Sequence, residues 1–143
     1  TFELGGKAPH IVFDDADLDS ALNAVTSSAW ALCGQSCALG SRVLVQRGIY
    51  DEFVRRFAQR AAAVRVGAPS DIATHMGPQI DGRQLQKTLD YVGYGIEEGA
   101  RLVAGGERVR GVGLDGGYYV WPPLYRYYGM ARWWFVVFHR SAK

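Results

Sequence analysis

Sulfur and histidine are scarce in this sequence: two cysteines, two methionines and three histidines among 143 residues. Two cysteines are too few for a disulfide scaffold and suit a reducing compartment, which we take to be the cytoplasm. The histidines, His10, His75 and His139, show no ligand spacing, so no metal motif is readable. No apolar run approaches the roughly 20 residues that span a bilayer, and no charged-then-apolar leader is present. Acid is missing from residues 126–143, which carry Arg126, Arg132, Arg140 and Lys143. The net charge of +2 therefore comes from that tail. The rest of the chain has a small excess of acid, which offers no electrostatic case for nucleic acid. Repeats and low-complexity segments are absent as well.

What is present is a globular composition, 48% apolar and 21% charged. The length is that of one domain or part of a larger one. The chain starts at Thr1 rather than Met and reads as a soluble piece of a longer protein.

The pattern of elements alternates. Residues 8–13, "APHIVF", read as a short strand stopped by Asp14 and Asp15. Asp17 is a candidate N-cap for a helix through Leu18, Leu22 and Val25 that runs on to Gly34. "RVLVQ", residues 42–46, reads as a second strand. Residues 49–66 read as an amphipathic helix, with Ile49, Phe53, Phe57 and Val64 on one face and Arg55, Arg56 and Arg60 mostly off it. "GAPSD" and "MGPQI" are turn-rich connectors. Residues 82–100 read as a third helix, with Leu85, Leu89, Val92 and Ile96 in register and Gly99 closing it. "ARLVAGG" is a strand with a glycine turn, and "GYYVWPPLY" is an apolar run ended by Pro122-Pro123. Such alternation predicts an α/β fold with a largely parallel sheet and helices on its faces.

Two segments carry chemistry. In "FELGGKAP", Glu3 stands directly before Leu4-Gly5-Gly6. Paired glycines permit a tight turn or a close approach of backbone to a ligand. On the residues alone, a solvated glutamate beside a glycine turn also accounts for the segment. The second segment is "WALCGQSCALGSR", which holds both cysteines. A disulfide between residues four apart on a helix is geometrically awkward. A metal would need about two more ligands. Two inert packed thiols remain open, because free cysteine is commonly buried. Cys37 differs from Cys33 in its setting: it lies just past the helix among Gly34, Ser36 and Gly40, where backbone N–H groups can favour a thiolate. Cys33, among Trp30, Ala31 and Leu32, reads as packing. A cysteine nucleophile with a glutamate that holds water is a pair suited to acyl transfer and thioester hydrolysis. A Cys–His hydrolase using His10 or His75 is the weaker reading, since no motif places either beside Cys37.

Together the two segments resemble the signatures of the NAD(P)-dependent aldehyde dehydrogenase superfamily. "FELGGKAP" is similar to its glutamate signature and "GQSCALGSR" to its cysteine signature, in order and at the family's separation. "RVLVQRGIYDEFV", "VGAPSDIATHMGPQID" and "EEGARLVAGGE" extend the resemblance over residues 1–125, read as a partial catalytic domain. The resemblance implies that Cys37 attacks the aldehyde and passes through a thiohemiacetal to a thioester. It makes Glu3 the base that activates the hydrolytic water. It puts Leu4 and Gly5 near the nicotinamide of NAD or NADP, and Gln84 and Lys87 at the adenosine ribose. The implied partners are a small aldehyde and, in the full-length parent, further copies of itself, with no nucleic acid and no membrane.

Two departures concern the substrate tunnel: Leu32 stands where many members have Asn, and Cys33 where a polar residue is common. A larger departure is that the coenzyme-binding domain of the family lies mostly upstream of its glutamate signature. The alternative reading is therefore a non-enzymatic fragment, inactive alone. Residues 126–143 hold none of the Glu-Glu-Ile-Phe-Gly-Pro-like segment that follows in the family, and we read them as out-of-frame sequence. Translation of the encoding DNA in the other two frames checks this. One frame should yield that segment, and its absence from both would remove the frameshift reading.

Overall fold

The structure is a computed structural model that describes residue 1, residues 5–111 and 113–127, and the backbone of 133–137. Its elements in chain order are β1 (Pro9–Val12), α1 (Leu18–Trp30), β2 (Arg42–Gln46), α2 (Tyr50–Ala62), α3 (Gly82–Glu97), β3 (Arg101–Ala104), β4 (Leu124–Tyr127) and β5 (Trp133–Val137). The strands form one sheet in the order β1-β2-β5-β4-β3.

The α/β class predicted from the alternation holds. The expectation of a largely parallel sheet does not. Only β1 and β2 pair in parallel, with His10 opposite Val43 and Ile11 opposite Leu44. The β2–β5, β5–β4 and β4–β3 pairs are antiparallel. The cause lies in the connections. A parallel pair needs a crossover of a dozen or more residues, which α1 supplies between β1 and β2. Between β3 and β4 the described chain forms no helix, and only residues 128–132 separate β4 from β5. Returning strands of that kind pair antiparallel.

Local signals explain the helices. Asp17 caps α1, its carboxylate accepting the N–H of Ser20 at 2.7 Å. Asp81 caps α3 in the same way, accepting the N–H of Gln84 at 2.8 Å. The Ser20 hydroxyl and then its N–H hold Asp17 below the usual carboxylate range, and the Gln84 N–H and then the Arg83 side chain do so for Asp81. Gly99, at φ 88°, closes α3 while its N–H donates to the Ile96 carbonyl.

Three boundaries differ from the sequence reading. Helix α1 stops at Trp30 rather than Gly34, because Leu32 and Cys33 have left-handed backbone angles. Helix α2 stops at Ala62, four residues short of the expected end, with the N–H of Val64 turning back to the Ala61 carbonyl. The apolar run over residues 117–125 is not ended by its proline pair. Val120 forms an isolated bridge with Arg108, and β4 starts directly after Pro123.

The core lies between the sheet and the α1–α2 pair. Leu22, Val25, Ala29 and Trp30 of α1 meet Phe53, Val54, Phe57 and Ala61 of α2, over Val43 and Val45 of β2 and Leu124 of β4. The Trp30 and Phe57 rings stack with centroids 5.1 Å apart, and Phe53 tilts against Phe57 at 5.8 Å. Arg56 bonds Asp19 and Arg60 bonds Asn23 across the outer edge of the helix pair. Of the α3 positions expected inside, Leu85 and Val92 are buried and Leu89 packs on the core, while Ile96 is half exposed. The whole strand–helix–strand unit that carries the cysteines thus rests on one aromatic contact region. We expect Phe57→Ala to cost about 3–5 kcal/mol of stability, measured by urea denaturation. A loss below about 1 kcal/mol would show that this region is not the centre of the core.

Candidate active site

The loop between α1 and β2 is built by a change of backbone hand. Leu32, Cys33 and Gly34 take φ of 49°, 58° and 74° in succession. Glycine adopts such angles freely, but each L-residue there costs about 1–2 kcal/mol. The turn is closed locally by the N–H of Gln35, which donates to the Leu32 carbonyl at 3.0 Å. Residues 36–41 then double back. The N–H of Leu39 donates to the Ser36 carbonyl at 3.4 Å, and the N–H of Gly40 donates to Oγ of Ser28 on α1 at 2.9 Å. At the start of β2, Nε of Arg42 donates to the Lys7 carbonyl at 2.9 Å.

This loop presses against the segment leading into β1. A Cβ on Gly6 would overlap the carbonyl of Cys37, and a Cβ on Gly40 would overlap the His10 ring. Two glycines, 34 residues apart in sequence, thus let two backbones and a ring pack without a gap. Gly5, expected near a nicotinamide, is exposed beside this contact. Glu3 and Leu4, the expected base and cofactor neighbour, lie outside the described residues.

The two thiols have different surroundings. Cys37 is exposed and Cys33 is half-buried. Burial pushes the Cys33 thiol up from its ordinary value, while the N–H of Gly77 acts in the opposite direction. Cys33 lines a small cavity of about 30 Å³, together with Trp30, Gln79, Gln84 and Thr88. Gln84 is therefore brought to the Cys33 side of the turn rather than to Cys37. Lys87 lies three residues on, on the same flank of α3, and is half-buried.

Neither described histidine serves Cys37 in a recognised bond. His75 accepts the N–H of Arg65 at Nδ1, 3.1 Å away, and lines an open cleft with Cys33. His10 packs on Gly40, with its buried Nε2 lacking a partner. Among the described residues no group of histidines, cysteines and acids could hold a metal ion. No described helix is long and apolar enough to cross a membrane.

One residue of this region was missed at the sequence level. Gln79, in the "MGPQI" connector, is buried and donates from Nε2 to the Cys33 carbonyl at 3.2 Å. The only available signal was an amide in an otherwise apolar turn.

The structure thus shows an α/β domain with an exposed thiol on a tightly held loop and a second, half-buried thiol beside it. The comparisons give the family. The sequence model of the aldehyde dehydrogenase family matches residues 1–127, and the chain belongs to that family. It is 43% identical over 125 residues to a betaine aldehyde dehydrogenase of Mesorhizobium japonicum, covering 87% of this chain and 26% of that protein. Among solved structures, HpcC from Thermus thermophilus is 46% identical with a TM-score of 0.83, over 86% of this chain and 25% of that one. The betaine aldehyde dehydrogenase of Staphylococcus aureus, solved in complex with NAD+, is 36% identical with a TM-score of 0.82, over 85% of this chain and 24% of that one. The chain thus spans about a quarter of the length of these relatives.

The contact at Gly6 generates a test. We expect Gly6→Ala to cost about 1–3 kcal/mol by overpacking against Cys37, measured by urea denaturation. Gly48→Ala, where a Cβ meets nothing within 4 Å, is the control and should stay within about 0.5 kcal/mol of the starting protein. Equal effects of the two substitutions would contradict the close approach.

Proposed function

We propose that the protein containing this sequence oxidises an aldehyde to a carboxylic acid with NAD or NADP, through a covalent intermediate on Cys37. The observation that carries the reading is the exposed thiol on a loop whose backbone abuts Gly6, within the same segment as Glu3. The Cys37 thiolate forms a bond to the aldehyde carbon and gives a thiohemiacetal. Its own backbone N–H is suited to donate to the developing oxyanion. A bound nicotinamide would supply the hydride acceptor that lets the Cys37 thiohemiacetal become a thioester. Glu3 then takes a proton from water, and the water oxygen attacks the thioester carbon. The C–S bond breaks, the acid leaves, and the thiolate is restored.

The residues present fit the coenzyme as one wall of a site. Gln84, which lines the cavity, carries an amide that can both donate and accept, which suits a ribose hydroxyl, and Lys87 lies three residues on in α3. A cavity of about 30 Å³ holds a water rather than a ring system. Leu4 and Gly5 would complete the nicotinamide side. We assign residues 1–125 to a partial catalytic domain and residues 126–143 to a divergent tail, with the family match ending at residue 127 in support. The working form in this proposal is a homo-oligomer of the full-length protein in the cytoplasm, with a small aldehyde as its partner.

For residues 1–143 alone, the span of about a quarter of the relatives' length favours a second reading, an inactive fragment. We expect no NADH production from aldehyde and NAD+ by this chain, and production that depends on Cys37 would contradict that. The nucleophile itself is tested by iodoacetamide labelling of the two thiols. Cys37 should label at least about tenfold faster than Cys33 at pH 7. Because burial raises the Cys33 pKa, its rate should keep climbing as pH passes the ordinary thiol value of about 8.5. Equal rates at the two thiols would contradict the assignment of Cys37.

A further inference from the structure

We propose that Gln79 is a positioning residue for the cysteine loop. Its side-chain amide holds the left-handed turn at residues 32–34 that delivers Cys37 to the Gly6 contact. The inference deepens the reading of Cys37 as nucleophile and rests on it only for its functional meaning.

The turn has a reason to open. Leu32 and Cys33 sit in the left-handed region with no intrinsic preference for it. Leu32 cannot be held there by burial, since its side chain is 73% exposed. Something outside the turn must therefore hold it. Gln79 is placed for that task. It is 4% exposed, and its own N–H is fixed to the Tyr118 carbonyl at 2.8 Å. From this anchored backbone, Nε2 reaches the Cys33 carbonyl, the middle residue of the turn, at 3.2 Å. The next residue adds a second link with the same donor side: the N–H of Ile80 donates to Oε1 of Gln35 at 3.4 Å. Residues 77–80 thus form a brace, with Gly77 packed beside the Cys33 sulfur. A buried amide that donates to the strained residue's carbonyl leaves that carbonyl without a partner if the donor is lost. The turn then relaxes, and residues 35–37 lose their register against Gly6.

The test uses the whole chain and reads iodoacetamide labelling at each thiol, with thermal melting alongside. Gln79→Met keeps the volume and removes the donor. It should raise the Cys33 labelling rate about tenfold under conditions where the protein remains folded, and lower the Cys37-to-Cys33 ratio. Leu32→Asn relieves the strain without touching Gln79, because asparagine tolerates the left-handed region better than leucine. It should slow Cys33 labelling by itself and, combined with Gln79→Met, return the rate to within about threefold of the starting protein. Rescue by a substitution on the far side of the bond separates positioning from a general loss of packing. An unchanged Cys33 rate in Gln79→Met would overturn the proposal. So would a Leu32→Asn variant that neither slows labelling alone nor rescues the double variant. Should Gln79→Met fail to fold, Gln79→Glu, which keeps the side-chain shape but puts an acceptor in place of the donor, decides, and an unchanged Cys33 rate there would overturn the proposal. Failure of the nucleophile reading has a different signature, equal rates at Cys33 and Cys37 in the starting protein.

Discussion

The structure depends on the reversal of backbone hand after Trp30. Were α1 to continue, Cys37 would lie about 10 Å further along the helix axis, on a helix face. Instead, Leu32, Cys33 and Gly34 turn the chain out of the helix, and residues 36–41 come back beside residues 5–10. That return sets β2 parallel to β1 and places the Cys37 carbonyl against Gly6. The segment with the glutamate and the segment with the cysteine therefore converge through one local irregularity.

Around it, the packing is conventional and supplies rigidity. Trp30, the last residue of α1, stacks on Phe57 of α2, so the helix end that precedes the turn is fixed in the core. The same anchoring separates the thiols. Cys33 lies beside Gly77 and the cavity that Gln79 also lines, and burial raises its pKa, whereas Cys37, past the turn, is open to solvent. Two cysteines four residues apart thus differ because the backbone, not the spacing, decides which way each faces.

Much of this was legible in the residues. Asp17, read as an N-cap, does cap α1. Phe53 and Phe57 fell on the predicted inner face of α2 and are fully buried. Strand direction was not legible, because it is carried by the length and content of the connections rather than by the strands. The early end of α1 was missed because Leu32 and Cys33 bear no glycine-like signal for positive φ. Gln79 was missed because its bond partner lies 46 residues away in the chain. The roles of Glu3 and Cys37 were carried by resemblance of motifs, since neither residue type has a fixed chemistry without its neighbours.

The central claim is that Cys37 is an acyl-accepting nucleophile. Its most direct test is peptide mapping by mass spectrometry after brief exposure of the chain to p-nitrophenyl acetate and quenching in acid. One acetyl group on the peptide position of Cys37, lost in Cys37→Ser and absent from Cys33, is the expected result. Acetylation of Cys33 in preference to Cys37, or none at either thiol, would contradict the account.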